Sequence, residues 1–523
     1  MQRTKPFDIA APIGARQSSQ KEPGEFFNMS TRDKKSLSRR QFLIGAGLIS
    51  AAATLAACGA PAAPAAPAAP AAEKPAEKPA EPAAAEEKPA EPAPAEEKPA
   101  EEPAPAAEPT PAVGEYGSGG TPTVIWHGLG GADGAVFATM LQTYAKDNNT
   151  SIRSETYNWD VFFQKFPTAV AAGTPPDWTI FHAAEVPQMA TQGVVIPLDD
   201  VFYKANSIGT DDFSPAVMSV LTHEGKVMAV PFDNHGWSCY VNTKVIKNAG
   251  LDPEKLPANG QEFIDWALKI VVDESGKHPN EDGFNPDKTK VWALDFSWPR
   301  FTMPSTWFQF QGGKAGQFED KTAKLNSEKS VAAVQYWHDL MYKYKVVRPA
   351  LPGLPWSGDL MKTDAMALWW DGTWSLGFFK DNPELEAVTK AVPLNSLAPD
   401  GFGAQKIDSH IMAIPTGAKD DQIERAVKLM AWLSNNGKTW ATSGQIPARL
   451  SVQKDPDVQA IWSVKAAAEA FNKQGFTEAA HPAFIELQTA WETAVGAALS
   501  NTEPLKEALD KGNDAIQAIL DRA

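Results

Sequence analysis

At 523 residues, with 43% hydrophobic side chains and a formal charge of −16, the chain is long enough for more than one folded core. An excess of acid this large argues against nucleic-acid recognition, which needs clustered Lys and Arg, and against adhesion to anionic lipid through charge. The only two cysteines are Cys58 and Cys239. If Cys58 is committed elsewhere, no internal disulfide forms and the core alone must hold the fold.

The N-terminal region reads as a targeting segment. Ser38-Arg39-Arg40-Gln41-Phe42-Leu43, an apolar run and Leu55-Ala56-Ala57-Cys58 form a twin-arginine export signal over residues 1–57. Its apolar stretch is shorter than the ~20 residues a spanning helix needs. Ala56 and Ala57 before Cys58 resemble the bacterial lipobox, so Cys58 is the expected lipid acceptor and mature N-terminus. A retained hydrophobic anchor is the alternative, and either places the body outside the cytoplasmic membrane. The tighter signal that opens at Met29 points to initiation there.

Residues 58–115 read as a tether. Residues 61–112 hold 15 of the 43 prolines, with four lysines and eleven glutamates among alanines. Such a segment has no apolar side chains to bury and favours extended polyproline-II conformers.

In the body, Thr123–His127 reads as a buried strand that enters the loop Gly128-Leu129-Gly130-Gly131-Ala132-Asp133-Gly134. Helical spacing follows over 135–146 (Val136, Phe137, Met140, Leu141, Tyr144). A strand is expected at 152–157, a helix at 161–171 and a third strand at 178–181. This alternation predicts an α/β sheet with ligand-facing loops at strand ends. The last 60 residues read as helical. The glycine loop lacks the third glycine of a dinucleotide fingerprint and the lysine of a phosphate loop. It reads better as a turn that brings backbone N–H groups and Asp133 to a ligand, a nucleotide site being the alternative.

None of the eight histidines, all in the body, forms a His-x3-His pair. His235 and Cys239 could share a helix face, but no further ligands stand near them in sequence, so no metal or cofactor is expected. No Gly-x-Ser-x-Gly elbow appears, and no carboxylate pair stands out for glycoside hydrolysis. All 17 tryptophans lie in the body, eight of them from Trp292 to Trp374. Indole faces suit the C–H faces of sugar rings; core packing is the alternative for any single tryptophan, and the Asp371-Gly372-Thr373 turn favours the sugar-facing role for Trp370 and Trp374.

Seven segments in order resemble the family 1 extracellular solute-binding proteins of ABC importers, the maltose-binding-like class. They are Trp126-His127-Gly128 with Asp133-Gly134; Ala169–Asp177, similar to "AxxxGxxPD"; and Gly193–Asp199, similar to "GxLxPLDD". Val241–Lys244 with Ala249–Pro253 is similar to "YNKxxFxxAGLDPP", and Trp370–Trp374 to "MxxxGPW", with Thr373 where proline is usual. Ser409–Pro415 and Gln445–Arg449 complete the match, which spans 121–523.

The resemblance implies a two-lobed, type II periplasmic-binding fold, α/β in class, with a ligand cleft between lobes. By analogy lobe 1 takes 121–234 with 412–447, and lobe 2 takes 235–411 with 448–523. It implies no catalysis. The expected partners are a mono- or oligosaccharide, the permease subunits of an ABC importer and the membrane through Cys58, with the protein a monomer. Cleft positions carried over from lobe 1 are His127, Asp133, Trp159, His182 and Glu185, and from the first crossover Asp233 and His235. Lobe 2 and the later crossovers contribute Trp298, Trp307, Trp370, Asp371, Trp374, His410 and Arg449. Arg449 could equally form an interlobe ion pair. The alternatives are a secreted carbohydrate-active enzyme and a receptor for glycerol-phosphate or a polyol.

Overall fold

The computed structural model describes residues 111–349 and 356–523. The expected signal segment, the expected lipid acceptor Cys58 and the expected tether up to residue 110 lie outside the described residues. Residues 112–115, expected to end the tether, instead belong to a strand, Ala112–Gly117, that pairs antiparallel with Ser151–Thr156.

The first sheet is six-stranded, in the order Ala112–Gly117, Ser151–Thr156, Thr123–His127, Trp178–His182, His410–Ala413, Val230–Pro231. Two helices between its early strands follow the sequence signals closely. Gly131–Asp147 turns Phe137, Met140, Leu141 and Tyr144 inward, at the spacing that lines one helix face. Trp159–Ala172 starts where the Asn158 side chain accepts the Asp160 N–H, and ends at Gly173, whose φ of 75° is the left-handed turn glycine makes without penalty.

The second sheet is organised on one long, wholly buried strand, Asp233–Asn242. Leu368–Gly372, Thr389–Val392, Gln405–Asp408 and Ile446–Pro447 pair with it, and Gly475–Phe476 extends the sheet beyond Gln405–Asp408.

Each sheet has its own core. The first gathers Ile125, Phe137, Ile180, Phe232 and Trp440, together with Val464, Ala467 and Phe471 from the helix Trp462–Gln474. The second gathers Trp237, Trp307, Trp337, Trp370 and Trp491. At ~1.5–3 kcal/mol per fully buried large side chain, either core can drive collapse without a disulfide. Cys239 is a free, buried thiol.

The chain passes between sheets within a residue or two. Val230–Pro231 in the first sheet leads through Phe232 into Asp233–Asn242 of the second. Gln405–Asp408 returns through Ser409 to His410–Ala413 of the first. Both crossings meet at one point, where the Ser409 hydroxyl donates to the Asp233 carbonyl at 2.5 Å. Among the described residues no helix is long and apolar enough to cross a membrane.

Candidate functional site

Strand register at the crossings assembles the site. His410 lies opposite His182 on the neighbouring strand of the first sheet, and His235 lies opposite Asp408 in the second. Residues directly opposite across an antiparallel pair project to the same face. The three imidazoles thus converge, with ring centroids 4.3 Å (His235–His410), 5.2 Å (His182–His410) and 5.6 Å (His182–His235) apart.

Asp233 organises two of them. Its Oδ1 lies 3.0 Å from His235 Nδ1 and accepts the His410 backbone N–H at 2.9 Å. Its Oδ2 lies 2.7 Å from His410 Nδ1 and accepts the Trp440 indole N–H at 2.9 Å. Burial alone would raise this carboxyl, but the neighbouring His410 and these hydrogen bonds hold it well below the usual carboxylate range. His410 is the counterpart: burial disfavours its charge, and Asp233 outweighs burial and raises its pKa. His182 and His235 are lowered, in both cases chiefly by burial and then by His410.

A cavity of ≈ 280 Å³ opens onto this group, lined from the first sheet by Gly128–Gly130, Asp133, Trp159, His182 and His410, and from the second by His235, Trp298, Arg300, Phe301 and Trp374. Three indoles border it. Trp159 packs over His182 at 4.3 Å and stacks on His410 at 6.0 Å. Trp374 stands 6.2 Å from His235. Trp298 is 53% exposed and holds a φ of 40°, a strained value for a bulky residue, just before the helix Pro299–Phe310.

Two glycines make room for the rings. A Cβ on Gly128 would lie 2.3 Å from the Trp159 ring, and one on Gly372 would lie 2.1 Å from that of Trp374. Asp133, in the first turn of its helix, accepts from the Gln445 amide at 2.7 Å, and burial lifts its carboxyl to about 6. Larger grooves exist, of ≈ 480 Å³ between the two C-terminal helices and ≈ 490 Å³ beside Trp126, but each is lined by local stretches of chain rather than by both sheets.

Of the sequence-predicted positions, Asp133, Trp159, His182, His235, Trp298, Trp374 and His410 line the cavity. Three more stand behind it. Asp233 braces the histidines. His127 is 3% exposed, bonded to Ser154 Oγ at 2.7 Å and accepting the Leu129 N–H at 3.1 Å; burial, reinforced by His410, pulls its pKa down to about 3. Glu185 is buried 3.8 Å from His182 and 3.9 Å from Arg300, and burial raises its carboxyl, helped by Asp408.

The other four lie elsewhere. Trp307 packs edge-on to Trp491 at 5.2 Å, its indole N–H donating to the Ser330 carbonyl. Trp370 donates to Asn395 Oδ1 at 3.1 Å and packs against Trp337, because its strand is covered on both faces. Asp371 accepts its own turn's Gly372 N–H and the Ser375 hydroxyl, as a turn-forming aspartate does. Arg449 pairs with Asp212 at 2.7 Å and Asn435 at 2.6 Å.

His235 and Cys239 sit on a strand rather than a helix, and His235 has two imidazole neighbours that no local spacing announced. Arg300, Phe301 and Gln445 were not anticipated. Proline at the first helical position after Trp298 marks the turn that delivers Arg300 and Phe301.

Two six-stranded sheets with separate cores, paired crossings and a cavity lined from both sides define a two-domain solute-binding protein of the periplasmic type. The chain belongs to the bacterial extracellular solute-binding protein family, whose model matches residues 139–504. Membership places its work outside the cytoplasm, in binding a solute. Among curated relatives, the sn-glycerol-3-phosphate-binding periplasmic protein UgpB of Brucella abortus (strain 2308) is 25% identical over 177 residues, which is 32% of this chain and 39% of that protein. UgpB of Escherichia coli (strain K12) is 26% identical over 153 residues, 28% of this chain and 34% of that one. The match thus spans well under half of these relatives.

Solved structures with the same fold include the GacH receptor of Streptomyces glaucescens, known unliganded and with acarbose (TM-score 0.64, 18% identity, 76% of this chain and 98% of that one). Maltose-bound MalE3 of T. maritima has a TM-score of 0.63 at 19% identity, covering 76% and 99%. The cyclic α-maltosyl-1,6-maltose-binding protein of Arthrobacter globiformis has a TM-score of 0.61 at 20% identity, covering 77% and 100%.

Proposed function

We propose that this protein is the binding component of an ABC importer and takes a mono- or oligosaccharide into the cavity between its sheets. The observation that carries this reading is the set of three indoles, Trp159, Trp298 and Trp374, around the polar groups Asp133, His182, His235 and His410. Stacking faces and hydrogen-bonding rims on one cavity suit a sugar ring. The solved neighbours named above with acarbose, maltose or a cyclic maltoside lend support.

On this reading each sheet belongs to one lobe, the crossings at Asp233 and Ser409 serve as the hinge, and a closed monomer docks on the permease. Cys58, in its lipobox-like setting after a twin-arginine signal, carries the anchor. Incorporation of labelled fatty acid that disappears in Cys58→Ser tests that part.

A second reading, a glycerol-phosphate ligand, rests on Arg300, the one lysine or arginine among the described residues lining the cavity. Asp133 in the lining and the ionised Asp233 just behind it weigh against an anion there. Calorimetry and thermal shift across a saccharide panel, with sn-glycerol 3-phosphate and inorganic phosphate included, discriminate the readings. Saturable binding of a neutral saccharide is expected. Turnover of a saccharide to product, without saturable binding, would replace the receptor by an enzyme.

A further inference from the structure

We propose that His182, His235 and His410 form a binding site for one divalent cation of the zinc class at the floor of the cavity. One ligating atom from each of the three lies within 4.8 Å of the other two, and all three side chains are buried. Imidazole nitrogen suits Zn²⁺, Co²⁺ and Ni²⁺ rather than Mg²⁺ or Ca²⁺, which take oxygen ligands.

The surroundings are those a histidine-bound metal requires. Ligating histidines hold their second ring nitrogen against a carboxylate or carbonyl, which fixes the tautomer and raises ligand basicity. Asp233 does this for the Nδ1 atoms of both His235 and His410, at 3.0 and 2.7 Å. Neither ring's Nε2 is engaged in a protein hydrogen bond among the described residues. Glu185 Oε2 stands 3.8 Å from the Nδ1 of His182, beyond hydrogen-bond distance.

Four buried polar atoms around the trio lack hydrogen-bond partners: His182 Nδ1, Glu185 Oε2, Asp133 Oδ1 and Asp408 Oδ2. Unsatisfied groups gathered at one spot point to a bound ion or its waters. Charge agrees, since Asp133, Asp233 and Asp408 stand around the trio while Lys406 is committed to Glu478 and Arg300 is the opposing cation. Three histidine ligands leave a tetrahedral ion one open position, as in sites that exchange their fourth ligand. All three histidines line the cavity, together with Asp133 and Trp159.

This inference does not depend on the carbohydrate reading, and the two are tested separately. Untagged protein is stripped with chelator and titrated with Co²⁺ alone, then with Zn²⁺ in competition. One equivalent of Co²⁺ per chain is expected, with the visible absorption of a four- or five-coordinate nitrogen-bound ion, displaced by Zn²⁺. His182→Gln and His235→Gln should each abolish that band while circular dichroism stays native; His338→Gln, remote from the site, should keep it. Asp233→Asn should weaken Co²⁺ by about 10–100-fold, the usual range for losing a second-sphere carboxylate. Absence of a stoichiometric band in the stripped native protein overturns the site. So does a band unchanged in the folded His182→Gln and His235→Gln variants. Saccharide titrations of the chelated protein report on the receptor reading whichever way the metal result falls.

Discussion

Trp370 and Trp374 are four residues apart and have opposite consequences when truncated. Trp374 borders the cavity and is partly buried against Trp237 and Phe301, so Trp374→Ala is expected to cost about 1–3 kcal/mol of saccharide affinity, the range for an aromatic stacking contact, with a smaller loss of stability than truncation of Trp370. Trp370 lies in the second core with its N–H on Asn395, so Trp370→Ala should instead cost about 3–5 kcal/mol of stability. Calorimetry and chemical denaturation of the two variants separate these outcomes. Asp371 offers a pH test. Burial, with lesser help from Asp295, lifts its carboxyl from 3.8 to about 7. Between those values the folded chain holds a proton that the unfolded chain has released, so stability falls as pH rises from about 4 to 7. Asp371→Asn keeps an oxygen for the Gly372 N–H and the Ser375 hydroxyl and removes the titration. Its melting temperature relative to the native protein should climb across that interval. A constant difference from pH 4 to 8 would show that Asp371 ionises normally.

Elements set where the rings stand. The loop after Thr123–His127 approaches Trp159 so closely that Gly128→Ala puts a methyl 2.3 Å from the indole. That ring borders the cavity and can shift outward, so we expect weakened ligand binding with the fold retained; an unaltered binding isotherm would mean the loop yields instead. The strand Ala112–Gly117 makes a second elemental prediction. Its six-residue pairing with Ser151–Thr156 should keep Ala112 inside the fragment that survives limited proteolysis. An N-terminus mapped beyond Gly117 would contradict that pairing.

For the whole molecule, a ligand bound between the sheets stabilises the folded state, and the proposed hinge predicts that it draws the lobes together. At a concentration a hundredfold above Kd the stabilisation is ~2.7 kcal/mol, read as a raised melting temperature. Small-angle scattering should show a smaller radius of gyration with the same ligand. A stabilising ligand that leaves the scattering curve unchanged would retain the receptor and remove the closure.

The sequence alone was enough for the alternating strands and helices and for the family, because periodicity, turn residues and short motifs are local signals. It also indicated cavity-lining residues that sit in such motifs, Asp133 in the glycine loop and Trp374 after Gly372 among them. Tertiary structure alone decided which indoles face the cavity, since strand and helix neighbours bury Trp307 and Trp370 without changing their local pattern. It alone joined His182, His235 and His410, which are 53 and 175 positions apart along the chain and become neighbours only where two strands cross between sheets. Spacing records what one element presents; pairing register between distant strands decides what meets.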